Sequence, residues 1–242
     1  MQKSKSSIYD DICNMVITYI KSKCPSLPLK EIIFTNDIPG KILEINPNLK
    51  YNPSFNIEQY QNFSGNVQFL DDNSIAILFD EEFLSESMQK NFCWIEVIIH
   101  EATHACDYYS NLGIMGCDTL ISMQKCKSFW LWSEFHAKYV GTKHMLNYVK
   151  FLPQDNQNAY FNDLKRRIDT FKQSIFSYTN TDLIIYEWMH IMGEILAWEE
   201  SENICIEFNS EQDLRPLLKN YTEEIDAVKL LNLGRVIKGV FR

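Results

Sequence analysis

At 242 residues, with 45% hydrophobic and 13% aromatic side chains, the chain is long enough to bury one substantial core or two closely packed lobes. Its 32 acidic residues outnumber its 23 basic ones and leave a formal net charge of −9. That balance excludes a general nucleic-acid binder, because phosphate attraction needs a basic face, and no basic stripe interleaved with aromatics is present. No apolar run reaches the length of a membrane span, and Met1 to Ser7 lacks the apolar core of a signal peptide, so no membrane partner and a cytoplasmic location are expected. The 7 cysteines form no CxxC pair and read as reduced thiols rather than a disulfide framework or a structural zinc site.

In chain order, Ile8 to Lys23 repeats apolar residues at helical spacing, with Ile12, Met15, Val16, Tyr19 and Ile20 on one side, until Cys24-Pro25-Ser26-Leu27-Pro28 breaks it. Lys30 to Thr35 reads as a strand. From about Gly40 to Ser64, Pro47, Pro53, many asparagines and the aromatic Tyr51, Phe55, Tyr60 and Phe63 suggest a long loop. Val67 to Leu70 and Ile75 to Phe79 bracket the turn formers Asp71-Asp72-Asn73-Ser74, which predicts a hairpin. An apolar helix is expected directly after it, through Trp94, Ile95, Val97, Ile98 and Ile99, ending near Asn111 and Gly113. Four more helices follow: about Ser128 to Phe151, closed by Pro153; Asp155 to Tyr178; Thr181 to Glu200; and one opened by a capping pattern at Ser210 to Asp213 and running to about Asn232.

His100-Glu101-Ala102-Thr103-His104 carries the chemistry. On a helix of about 3.6 residues per turn the two histidines stack on one face, so their imidazoles converge on one metal at roughly 2.0 to 2.1 Å. Glu101, offset by about 100°, is placed beside the remaining coordination position. Water there becomes the nucleophile and the carboxylate its general base. The other reading of the pair, two core histidines satisfied by backbone or carboxylate groups, has to account for two imidazoles inside an apolar helix.

This HExxH helix resembles that of the zincin superfamily of metallopeptidases. The resemblance implies Zn2+ at His100 and His104, Glu101 as base, and hydrolysis of a peptide or protein substrate. The extended metzincin motif is absent, since Asp107 and Ser110 stand where its glycine and last histidine belong. Within Trp132-Ser133-Glu134-Phe135-His136-Ala137, Glu134 shares a face with Trp130, Leu131, Ala137, Gly141 and Met145, whereas His136 lies with Lys143 and Asn147. Burial favours Glu134, and a second helix bearing a Glu ligand resembles the gluzincin arrangement; an ordinary helix ion pair is the plain alternative. Asp118 would be the ligand of an aspartate zincin, but the expected glycine-threonine pair before it is missing. Asp107 and Glu96 lie near the metal-facing stripe and are placed to orient the imidazoles.

Many zincins also stabilise the oxyanion with a downstream donor. Tyr186, His190 and Glu194 recur one turn apart on the Thr181 helix as a polar stripe; His190 is the first choice for that donor and Tyr186 the second, against a reading as hydrogen-bonded core groups. The expected fold is therefore α+β and zincin-like: a small N-terminal sheet with a hairpin packed on the HExxH helix, then a mainly helical half. Residues 1–242 form a single catalytic domain with an upper lobe 1–111 and a lower lobe 112–242, the zinc lying between them. The function expected is zinc-dependent peptide hydrolysis. Two other readings remain: a zincin-shaped regulatory or sensing module without catalysis, and a ferritin-like di-iron bundle using the ExxH segments 101–104 and 187–190. The bundle needs a fourth helix some thirty residues before Glu101, where the chain reads as strands.

Overall fold

The amphipathic repeat that opens the chain folds as α1, Lys5–Lys23, burying Ile12, Val16, Tyr19 and Ile20 with Met15 half-buried beside them. This is a computed structural model, and it describes residues 5–51, 60, 63–174, 181–207, 213–223 and 225–240. The fold is α+β, mainly helical, with one small mixed sheet. The chain divides into two compact units, Met1–Leu112 with Cys117–Ser122, and Gly113–Gly116 with Met123–Arg242.

In the first unit the sheet is built from β1, Leu29–Thr35, and the expected hairpin of β2, Gly65–Phe69, and β3, Ile75–Asp80. β2 pairs antiparallel with β3, Val67 opposite Ile77, and Asn73 turns the chain at φ 59°, a left-handed conformation that asparagine tolerates. β1 pairs parallel with β3, Ile33 opposite Leu78, so the strand order is β1-β3-β2. The central position explains why Ile75 to Phe79 is an unbroken apolar run: all five residues are buried.

The stretch from Gly40 to Ser64, expected as a loop, begins inside a helix. α2 spans Ile38–Ile45, and the Asp37 side chain caps it by accepting the Gly40 N–H at 2.8 Å. Pro39 stands in its first turn, where a missing N–H costs nothing. Ile38 and Ile42, one turn apart, pack on Ala76 and Leu78 of β3. A 3-10 turn follows at Pro47–Tyr51; Pro53 and Phe55 lie outside the described residues.

A second correction falls after the hairpin. The HExxH helix does not follow the strands directly, because α3, Glu81–Lys90, intervenes. Asp80 ends β3 and caps α3, accepting the Phe83 N–H at 2.6 Å, with Glu81 and Glu82 at the positive end of the helix dipole. The end of α3 then starts α4, Cys93–Ser110: Asn91 Oδ1 accepts the Cys93 N–H at 2.9 Å and Ser87 Oγ the Trp94 N–H at 3.0 Å. α4 lies against β2, β3 and α1. A short α5, Leu120–Gln124, follows.

The second unit is helical among its described residues. α6, Lys127–Val149, and α8, Thr181–Glu202, are its most extensive contact and run in the same direction, since Glu134 meets His190, Lys138 meets Glu194 and Lys143 meets Glu200. α7, Gln154–Ser174, returns the chain between them; Tyr178, the expected end of that helix, lies outside the described residues. Arg167 of α7 clasps Glu194 of α8 with both of its terminal nitrogens, and Phe161 rests on Trp198 at 5.5 Å.

The last expected helix is not continuous. Instead α9, Arg215–Leu218, and α10, Ala227–Val240, are separated by a break in which Asp226 caps the second, accepting the Lys229 N–H at 2.8 Å. Of the capping pattern, Ser210 to Gln212 lie outside the described residues, while Asp213 serves Arg215. Among the described residues no helix is long and apolar enough to cross a membrane.

Candidate metal centre

Ile95, Ile98, Ile99, Ala102, Ala105 and Cys106 bury α4, and the motif histidines are set among them one turn apart. His104 is buried and His100 half-buried, and their Nε2 atoms face each other at 3.0 Å. The rings are nearly perpendicular, 84°, with centroids 4.6 Å apart. Two nitrogens each about 2.05 Å from one cation would be about 3.3 Å apart at the tetrahedral angle, so the pair is nearly at ligand spacing. Glu101, between them in sequence, is also buried and lies against the backbone of β2 at Gly65.

The rest of the motif holds the helix in place. Thr103 Oγ1 donates to the Ile99 carbonyl at 2.7 Å and lies 2.8 Å from the Tyr19 hydroxyl of α1. Burial pushes the Tyr19 phenol well above its ordinary range, partly opposed by the Thr103 hydrogen bond, so it remains a neutral hydroxyl. Cys106 is buried beside Cys24, and burial, then that neighbouring thiol, raises its pKa far above that of a free cysteine. Glu96 and Asp107 are both buried on α4, whereas Asp118 is exposed.

In the second unit Glu134 is buried on α6, as its apolar face requires. Its Oε1 accepts the Trp130 indole N–H at 2.9 Å, and its Oε2 lies 2.8 Å from His190 Nε2. Tyr186 stands between the two partners, stacked on Trp130 at 5.7 Å and 10° and packed on His190 at 4.4 Å. The close approach of the two helices rests on Gly193, where an added Cβ would meet the Phe135 carbonyl oxygen at 2.5 Å. His136 faces elsewhere, stacked on Trp132 at 5.0 Å. Glu194, the third member of the polar stripe, is taken up by Arg167 and by Lys138 at 3.9 Å.

The first unit thus assembles His100, Glu101 and His104, and the second Glu134, His190 and Tyr186. Each unit therefore carries donor groups of its own, two imidazoles in the first and a carboxylate beside an imidazole in the second. Imidazole nitrogens with one carboxylate suit zinc and other divalent cations of borderline softness. Sequence reasoning put Trp130 on the Glu134 face without seeing what its N–H does, although the two residues are one helical turn apart. It missed Gly65 and Gly193, whose only signal is a glycine inside a regular element. No protein-family model, curated protein or solved structure matches the chain, so the site is read from its own geometry.

Proposed function

We propose that the chain is a zinc-dependent peptidase of gluzincin type, with His100, His104 and Glu134 as ligands and Glu101 as general base. The observation that carries this reading is the His100 and His104 pair, with Nε2 atoms 3.0 Å apart on a buried helix that also buries Glu101. Imidazoles and a carboxylate need polar or charged partners when they are set into such a helix, and a shared cation would serve all three. Bound zinc would polarise the scissile carbonyl and bring the pKa of its water towards about 7. Glu101 accepts the proton of the attacking water and returns it to the leaving amine. His190 donates to the oxygen on which charge develops, with Tyr186 fixing the plane of its ring. The seven cysteines, none of them in a disulfide, fit a reducing compartment and support a cytoplasmic setting, with a peptide or protein as substrate.

A second reading is favoured by His190, whose Nε2 lies 2.8 Å from Glu134 Oε2 and so sets another imidazole beside the proposed ligand. With His190 as a further ligand the cation has no open position, and the protein becomes a metal-holding regulatory or sensing module. The di-iron bundle would need a helix some thirty residues before Glu101, and that stretch is the β2–β3 hairpin, which weighs against it.

The test measures metal content and cleavage of a mixed peptide library, with and without chelator, for the parent and for Glu101→Gln. Full zinc occupancy with turnover lowered by about 10²-fold or more in the variant is the expected result. Equal turnover in both proteins removes Glu101 as base; stoichiometric zinc without turnover in the parent selects the module; two irons per chain ends the zinc reading.

A further inference from the structure

Both oxygens of Glu134 face a side chain of the second unit, and the two sides differ in kind. Oε2 faces His190 Nε2 at 2.8 Å, a ring nitrogen that donates or accepts according to its protonation. Oε1 accepts from Trp130 Nε1 at 2.9 Å, and an indole N–H can only donate. The indole is not free to swing away, since its ring lies parallel to Tyr186 at 5.7 Å, and Tyr186 in turn packs on His190 at 4.4 Å. Indole and phenol are stacked, the imidazole packs on the phenol at a tilt of 41°, and the carboxylate contacts the first and last of the three rings.

We propose that Trp130 is a positioning residue that occupies Oε1, so that Glu134 meets a cation through Oε2 alone. The proposal rests on the reading of Glu134 as a metal ligand. A carboxylate free at both oxygens can chelate one cation with both, which fills a further coordination position. A hydrogen bond to an ionised acceptor is roughly twice as strong as a neutral one, so the indole holds one oxygen back. The position left open is the one a catalytic water needs. Groups that orient a ligand in this way typically contribute about 10–100-fold to metal affinity.

Cobalt(II) titration of the parent, Trp130→Phe and Glu134→Gln tests this, reading affinity and the visible d–d absorption, which is stronger for four-coordinate than for five-coordinate cobalt. Phenylalanine keeps the aromatic stack and removes only the donor. The expected result is about tenfold weaker binding for Trp130→Phe, with a weaker visible band as Glu134 turns bidentate. Parental affinity and band shape in Trp130→Phe, with affinity lost in Glu134→Gln, overturn the role of Trp130 and leave the ligand reading standing. Unaltered affinity in Glu134→Gln, or no cobalt uptake by the parent, overturns both. Should Trp130→Phe not fold, the indole N–H resonance of Trp130 decides: a shift on Glu134→Gln supports the hydrogen bond, and an unmoved resonance overturns it.

Discussion

Gly65 stands so close to Glu101 that a single added methyl does not fit: a Cβ on Gly65 would lie 2.6 Å from Glu101 Cγ and 3.0 Å from Glu101 Oε1. Gly65 is the first residue of β2, and a glycine there lets the general base of the proposed reaction rest on the strand backbone. Gly65→Ala forces the Glu101 side chain off its rotamer, an effect of about 0.5–1.5 kcal/mol on the fold, and moves the carboxylate. The expected variant keeps its zinc and loses about tenfold or more in kcat, because a placed general base contributes roughly 10²–10⁴-fold. Steady-state kinetics beside metal analysis checks this; a Gly65→Ala protein with parental kcat shows that the strand does not place the base.

Sequence and structure part company at identifiable residues. α1, the hairpin, α4, α6 and α8 were legible because each carries its period on its own residues, as with Ile12, Val16 and Tyr19, or the turn formers between Leu70 and Ile75. α2 was not, because Pro39 and Gly40 read as breakers, whereas Pro39 occupies the one turn of a helix that tolerates it. Nothing local shows that β1 pairs with β3, since parallel pairing joins segments far apart in the chain. In the site, one turn of helix links His100 to His104, so their pairing followed from spacing alone. The His190 contact to Glu134 depends on how α6 and α8 pack, which a pattern within either helix does not contain.

Metal binding reads out in stability without any substrate. A cation held only by the folded protein, at about 100 times its dissociation constant, adds about 2.7 kcal/mol. For a chain of this size that corresponds to a rise in Tm of about 5–10 °C. Parent and Glu101→Gln should both show the rise with Zn2+, and His104→Ala should lose it. Thermal scans with and without zinc measure it, and an equal rise in His104→Ala means that the cation sits elsewhere.

Gly193 sets the distance between the helices that carry Glu134 and His190. A Cβ there would lie 2.5 Å from the Phe135 carbonyl oxygen and 3.0 Å from the Tyr139 backbone nitrogen, atoms of α6 that cannot rotate aside. Alanine favours a helix over glycine by about 1 kcal/mol, but overpacking against backbone costs about 1–3 kcal/mol, so Gly193→Ala should be destabilised, by up to about 2 kcal/mol. Urea unfolding checks the sign. A stabilised variant would mean that α6 and α8 are further apart than these distances say.

Arg215 ties the start of α9 to the end of α8 and gives the fold an acid-sensitive point. Its Nη1 donates to Glu199 Oε1 and to the Ile206 carbonyl, both at 2.7 Å, while Nε and Nη2 donate to the Asp213 carboxylate at 2.8 and 2.6 Å. Burial by itself would raise the pKa of Asp213; the hydrogen bonds and charge of Arg215 outweigh it and hold the carboxyl below the ordinary carboxylate range. A depressed folded pKa means that the unfolded chain binds the proton more readily. The stabilisation is therefore complete above the unfolded value of about 3.9 and is lost as pH falls through the lower folded value. Arg215→Met removes the common partner and leaves Glu199, whose side chain is 10% exposed, without its cation. Breaking such a pair from one side costs about 3 kcal/mol at pH 7, and less near pH 3, where the Asp213 carboxyl, once it has lost the guanidinium that held its pKa down, takes up a proton. Urea unfolding of both proteins at the two pH values should show the gap between them narrowing in acid, and a gap that stays constant would reduce Arg215 to a packing residue.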